Sequence, residues 1–227
     1  MFTILSVGGS IIIPKTGFDI KFLKQFRQLI LARLKMGEKF ILVIGGGATC
    51  RNYQAAAKEV VKMSAADLDW LGIYTTQFNA EFVRLLFKDV AHNQIINNPS
   101  RKIKTNASLI IAAGYEPGHS TDMDAVLLAK TYGARRIFNL SNIDYLYDRD
   151  PNKFKTAQKI EQIDWTTFRQ KIVGHTWVPG KNAPFDPIAS ALAQKLKFSV
   201  SLLNGTNLKN LSAALNNKKF IGTIIEN

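Results

Sequence analysis

The sequence predicts an α/β protein, with a mainly parallel sheet covered by helices on both faces. Three observations carry this reading. Short, wholly apolar runs of strand type alternate with amphipathic helical patterns along the chain. Two of those runs end in glycine clusters, and two others end in polar turn clusters, where ligands gather on such sheets. The 227 residues, 46% hydrophobic and 21% charged, suit one globular domain over residues 1–227 with a sizeable core.

The elements follow in order. Phe2 to Val7 reads as a buried strand followed by a glycine turn. Asp19 can cap a helix running to about Met36, with apolar Ile20, Leu23, Phe26, Ile30 and Leu34, and Gly37 ends it. Lys39 to Ile44 is the next strand, and Ala48 to about Val61 reads helical. A longer helix spans about Ala66 to Lys88, with Leu68, Leu71, Phe78, Phe82, Leu85 and Leu86 as its apolar positions. Strands at Ser108 to Ala112 and Arg136 to Leu140 flank a helix from about Thr121 to Tyr132. A helix (about Ile188 to Lys195), a strand (Ser199 to Leu203), a short helix (Leu208 to Leu215) and a last strand (Thr223 to Ile225) close the chain. Asn97 to Thr105 is polar and basic, an exposed loop or hairpin; Asp148 to Lys159 is loop-like, with a turn favoured at Asp150-Pro151.

Composition excludes several classes. The single cysteine, Cys50, rules out an intramolecular disulfide framework and a cysteine-cluster zinc site. The three histidines lie far apart, at 92, 119 and 175, so no metal site is expected. The N-terminus is apolar before its first cation, Lys15, the reverse of a secretory leader. No run approaches the roughly 18 apolar residues of a spanning helix, so a cytoplasmic protein with no membrane partner is expected. The net charge of +13 suits anionic partners such as nucleotides, and equally describes a generally basic surface. No nucleic-acid reader motif or aromatic-basic run accompanies it, so a nucleic-acid partner is not expected.

The glycine clusters are Val7-Gly8-Gly9-Ser10 and Ile44-Gly45-Gly46-Gly47-Ala48. Glycine lets backbone approach a ligand closely, and successive N–H groups can cradle an anion beside a helix start. Tight strand-to-helix turns also use glycine, but two at equivalent strand ends favour phosphate. Arg51 sits one turn into the second helix, within reach of such a phosphate or free in solvent. Gly9 to Thr16 is not a P-loop, because Pro14 stands where the second glycine is needed and has no N–H. Gly45-x-Gly47-x-x-Cys50 lacks the third glycine of the dinucleotide fingerprint.

A third cluster is Tyr115-Glu116-Pro117-Gly118-His119-Ser120-Thr121-Asp122. Ser120 and Thr121 can cap the helix that follows or hold a ligand oxyanion. Asp122 can stand beside magnesium through water, orient a lysine, or complement the helix dipole. In the fourth cluster, after the strand ending at Leu140, Ser141 and Asn142 offer polar groups, Tyr147 a flat face, and Asp150 an acceptor for ribose hydroxyls.

The series of clusters resembles the amino-acid kinase superfamily, and within it the archaeal-type uridylate (UMP) kinases. The resemblance covers essentially the whole chain. It rests on Leu5 to Pro14, on Val43-Ile44-Gly45-Gly46-Gly47 with Arg51 and Tyr53, and on Asp69-Trp70-Leu71-Gly72 with Asn79-Ala80. It continues through Pro117 to Asp122, Ser141 to Asp144 with Tyr147 and Asp150-Pro151, Phe185-Asp186-Pro187, and Gly222 to Glu226. What it implies is a three-layer αβα sandwich that transfers the ATP γ-phosphoryl group to UMP, giving UDP for pyrimidine nucleotide synthesis. Mg²⁺ would ride mainly on the nucleotide phosphates. Carried over by motif, Gly8, Gly9, Ser10, Gly47 and Arg51 would face the ATP phosphates, and Ser141, Asn142, Tyr147 and Asp150 would hold adenosine. Gly46, Asp69 and the string Tyr115, Glu116, Pro117, Gly118, His119, Ser120 and Thr121 would hold UMP, with Asp69 reading the ribose. Ser10, Arg51 and Asp122 would be the catalytic residues. The chain from about residue 135 would form the ATP side and the earlier part the acceptor and dimer side, and the family implies a homo-oligomer, typically a homohexamer.

The chain departs from the family pattern in three places. Tyr145 replaces the usual glycine after Asp144, Gln77 stands where relatives often carry arginine, and Ala48 removes a lysine some carry. Lys181 is a substitute cation or a solvated loop lysine. Two rivals therefore stand beside the leading reading: a kinase of another small phosphate or carboxylate, and a nucleotide-binding regulatory pseudokinase. No Gly-Gly-Gly-Ser-Phe-Gly-His string follows the second strand, which argues against isopentenyl phosphate kinase.

Overall fold

The computed structural model describes residues 1–149, 151, 153–178 and 183–227. Asp150 and Lys181, both singled out above, lie outside the described residues. The elements run β1 (Phe2–Val7), α1 (Gly9–Ile12), α2 (Ile20–Lys35), β2 (Lys39–Ile44), α3 (Gly47–Val60), α4 (Ala65–Leu86) and β3 (Leu109–Ala112). Then come α5 (Thr121–Tyr132), β4 (Arg136–Ser141), β5 (Leu146–Tyr147), β6 (Lys159–Ile160), β7 (Gln162–Asp164) and α6 (Trp165–Phe168), which passes into a π-helical turn, Arg169–Val173. The chain closes with α7 (Pro187–Lys195), β8 (Ser199–Asn204), α8 (Leu208–Leu215) and β9 (Thr223–Glu226).

Seven strands form one sheet in the order β3-β2-β1-β4-β8-β9-β7. The five from β3 to β8 are parallel. β9 joins β8 antiparallel, and β7 lies parallel to β9. Alternate residues of each strand point to opposite faces, so two cores form. One gathers Ile4, Ile41, Val43, Ile110, Ile137 and Val200 under α5, α6 and α7. The other gathers Leu5, Val7, Phe40, Leu42, Ile111 and Leu140 under α2, α4 and α8. Burial on both faces explains why these strands read as continuous apolar runs.

Local signals hold at the helix ends. The Asp19 carboxylate accepts from Phe22 N–H at 2.9 Å, and Ser64 with Asp67 forms a reciprocal capping box that starts α4. Two expectations change, and for the segment 97–105 the structure takes the loop rather than the hairpin. The turn after β1 closes into a single helical turn, α1. The segment 97–105 is irregular loop, held where Thr131 Oγ1 donates to Pro99 O at 2.8 Å. On α4 the buried stripe is Leu68, Ile73, Thr76, Ala80 and Val83, while Phe78 is 72% exposed and Leu85 also faces solvent. Inward Thr76 and Asn79 bond the turns after β2 and β3, which rotates the aromatic side of the helix outward.

Candidate active site

The turns after β1, β2, β3 and β4 converge at the carboxyl end of the parallel strands. The first two are locked together. Gly45 N–H donates to Val7 O at 3.0 Å, and Ala48 N–H donates to Ile13 O at 3.2 Å. Gly47 takes the left-handed conformation, φ 65°, that an L side chain rarely adopts. A Cβ on Gly9 or Gly47 would strike the backbone of the other turn. Asn79 Nδ2 fixes the second turn from α4 by donating to Gly45 O at 3.0 Å and Gly46 O at 2.9 Å.

Gly8 differs from its neighbours, because its N–H donates to Leu140 O at 2.9 Å and is not available to a ligand. Among the described residues, the N–H groups of Gly9, Ser10, Gly46 and Gly47 have no backbone acceptor; Gly9, Ser10 and Gly46 line one cavity, and Gly47 lines the one beside it.

The third turn is tied to α4 where Gly114 N–H donates to Thr76 Oγ1 at 2.9 Å. Gln77 Nε2 lies 3.5 Å from Gly114 O. Ser120 is the N-cap of α5, accepting from Asp122 N–H at 3.2 Å. Its own N–H donates to Asp186 Oδ2 at 2.6 Å, so the free donor at this helix start is Thr121 N–H. Asp69 Oδ2 accepts from Gly118 N–H at 2.8 Å, and Asp69 Oδ1 lies 3.4 Å from Trp177 Nε1. Tyr115 points away to Asn98, 3.2 Å from its hydroxyl.

Asp122 is half-buried between β1 and α7. It accepts from Ser6 Oγ at 3.0 Å and from Asp186 N–H at 3.1 Å. Burial first, and then the charge of Asp186, push its carboxyl up to about 7. Among the described residues no Lys or Arg pairs with it, and its bonds tie β1, α5 and the start of α7 together at the cleft. Asp186 does similar work: it caps α7 through Ile188 and Ala189 N–H groups at 2.6 and 2.9 Å.

Three cavities lie side by side as one trough, the first two sharing Gly46, Ser120 and Thr121 and the last two sharing Ser10 and Ser141. The first, about 190 Å³, is walled by Gly46, Gly47, Arg51, Asp69, Glu116, His119, Ser120 and Thr121. The middle one contains Gly8, Gly9, Ser10, Gly46, Ser120, Thr121, Asp122 and Ser141. The third, about 830 Å³, contains Ser10, Arg51, Ser141, Asn142 and Tyr147. Arg51 borders both outer cavities. Tyr115, Pro117 and Gly118 are not on the walls; they shape the turn, and Gly118 orients Asp69.

Sequence reasoning missed Trp177, Asp124 and Lys15. Trp177 stands between the first two cavities, Asp124 is in the wall of the first, and Lys15 is in the third. Lys15 had a signal, since it lies five residues beyond Ser10 of the first glycine cluster. Trp177 had none, because 108 residues separate it from Asp69. Covalent chemistry by Cys50 in the first cavity is disfavoured, since burial pushes its thiol up. Among the described residues no group of three or more His, Cys, Asp or Glu could hold a metal, and no helix is long and apolar enough to cross a membrane.

A mainly parallel sheet whose strand ends carry two interlocked turns with free backbone N–H groups defines an α/β protein with a ligand site at the carboxyl edge of its sheet. A family model described as the amino acid kinase family matches residues 1–204, and the chain belongs to that family. It is 30% identical over 227 residues to the uridylate kinase of Methanothermobacter thermautotrophicus, covering 99% of each chain. It is 29% identical over 225 residues to the uridylate kinase of Methanobrevibacter smithii, covering 98% of each. The crystal structure of uridylate kinase from Archaeoglobus fulgidus superposes with a TM-score of 0.81 at 25% identity, covering 99% of this chain and 100% of that one.

Proposed function

We propose that the protein transfers the γ-phosphoryl group of ATP to UMP, giving ADP and UDP. The single observation that carries this reading is the continuous trough with Arg51 on both outer cavities and unpartnered N–H groups between them. ATP lies in the third cavity, its adenosine against Ser141, Asn142 and Tyr147, its phosphates toward Gly9, Ser10 and Gly47. UMP lies in the first, its ribose at Asp69 and its phosphate toward Gly46 and Thr121. Asp150 is assigned to the ATP ribose by resemblance alone. In this arrangement residues before about 135 supply most of the acceptor side, and later ones most of the donor side.

The chemistry suits such a site. A UMP phosphate oxygen, already ionised near neutral pH, attacks the γ-phosphorus, and the bond to the β–γ bridging oxygen breaks. No general base is needed, so catalysis is positioning and charge neutralisation. Backbone N–H groups held by the Gly9–Gly47 contact need no reorganisation as charge develops, and each such donor is worth about 3 kcal/mol of barrier. Arg51 supplies the mobile charge, and Lys15 and Lys171 add positive potential on the donor side. Magnesium would be carried by the nucleotide phosphates, where it neutralises charge; among the described residues the site offers it no carboxylate cage.

The test is ADP release with Mg-ATP against UMP, CMP, dUMP, AMP, GMP and no acceptor. Turnover with UMP far above the others is expected. Equal turnover with several acceptors would point to another member of the family, and nucleotide binding without turnover would point to a regulatory pseudokinase. We also propose a homo-oligomer. Trp70, Tyr74 and Phe78 form an exposed aromatic face on α4, beside Asp69. Light scattering should return a multiple of the chain mass.

A further inference from the structure

We infer that Asp124 reads the base of the acceptor nucleotide, its carboxyl group taking the N3–H of uracil. This rests on the reading of the first cavity as the UMP site.

Three observations converge on Asp124. It stands on the first turn of α5, one helical turn beyond Thr121, and belongs to the wall of the cavity that holds Asp69 and Arg51. It is 1% exposed. Its Oδ1 has no hydrogen-bond partner among the described residues. A buried polar atom without a partner is destabilising, and such an atom in a ligand cavity is accounted for when the ligand brings the partner.

The chemistry of the surroundings narrows the partner. The charged groups around Asp124 are Glu116 from the turn, Asp122 on its own helix and Asp186 at the start of α7. All are carboxylates, so a ligand anion is repelled there and the phosphate end of UMP belongs elsewhere, toward Arg51. Burial, then Glu116, push the Asp124 carboxyl up to about 8. A carboxyl that keeps its proton offers one donor and one acceptor side by side. The N3–H of uracil is the donor that matches the carboxyl C=O, and its O4 is the acceptor that matches the carboxyl O–H, so the two groups close a ring of two hydrogen bonds. Asp69 then faces the ribose and Asp124 the base.

The experiment is calorimetric binding of UMP, ribose 5-phosphate and 3-methyl-UMP to the full chain and to Asp124→Leu and Asp124→Asn, with UDP formation followed in parallel. Wild type should prefer UMP to both other ligands. Asp124→Leu removes the unpaired polar group and is expected to fold; it should weaken UMP roughly tenfold and leave ribose 5-phosphate within about twofold. Asp124→Asn retains a donor and an acceptor and should keep UMP within about threefold. The inference is overturned if Asp124→Leu keeps the wild-type preference, if it weakens UMP and ribose 5-phosphate equally, or if wild type tolerates the 3-methyl group. UDP formation by wild type alongside any of these outcomes leaves the kinase reading standing. The expected binding pattern without UDP formation sinks the kinase reading and keeps the base-reading role.

Discussion

The two ends of the trough are built differently. The first cavity, proposed for the acceptor, is small, and its walls are mainly residues from helix interiors and starts: Gln54, Ile73, Thr76 and Asp124 are each buried and each held by an α-helix. The donor cavity is more than four times as large and is lined mainly by loop residues such as Lys15, Asn142, Tyr145 and Arg149. Buried helix-borne groups are fixed before ligand arrives, so selectivity belongs at the acceptor end. A wide loop-lined cleft holds its ligand through phosphates and a stacking face, with less demand on shape.

That contrast is open to attack. The largest effect should come from Arg51→Ala, because this residue borders both cavities. Steady-state kinetics should show kcat/KM for both nucleotides down at least about 100-fold, or roughly 2.7 kcal/mol. An effect confined to one nucleotide would show that Arg51 belongs to a single end. Next comes a paired comparison. Asp69→Ala should raise the KM for UMP about tenfold with the KM for ATP unchanged, and Tyr147→Ala should do the reverse by about fivefold. If either variant moves both constants together, the two ends are coupled rather than separate.

The smallest effect concerns pH. The carboxyls of Asp122 and Asp124 sit at about 7 and 8 in the folded chain, above the ordinary carboxylate value near 4. Between those limits the folded state holds protons that the unfolded chain releases, so the contribution of these two groups to stability falls as pH rises toward 8. Melting followed from pH 5.5 to 8.5 should show the midpoint dropping, by about 2–4 °C for each kcal/mol lost in a chain of this size. Asp124→Asn should flatten the slope; an unchanged slope would place the titration elsewhere.

The same contrast explains what could be read in the sequence. The five parallel strands were legible because strands buried on both faces leave unbroken apolar runs, as in Ile41, Leu42 and Val43. The phosphate turns were legible because glycine at Gly9 and Gly47 answers a local demand for close backbone approach. β5, β6 and β7 were not, since two- and three-residue strands are defined by pairing and carry no period of their own. The outward turn of Phe78 was hidden because apolar spacing on α4 fits two faces, and the choice was made by Thr76 and Asn79 bonding distant turns. Asp124 was hidden for the opposite reason, an acidic residue in the first turn of a helix being ordinary on dipole grounds.

The direct backbone contact between Gly9 and Gly47 has a consequence for how such a protein can diversify. On the proposed reading, the gap between donor and acceptor phosphates is set mainly by main-chain contact between these two turns, with the Asn79 side chain bracing the second. Substitutions around Asp124, Gln77 or Tyr145 can therefore wander toward new bases or new donors while the reaction distance is inherited unchanged.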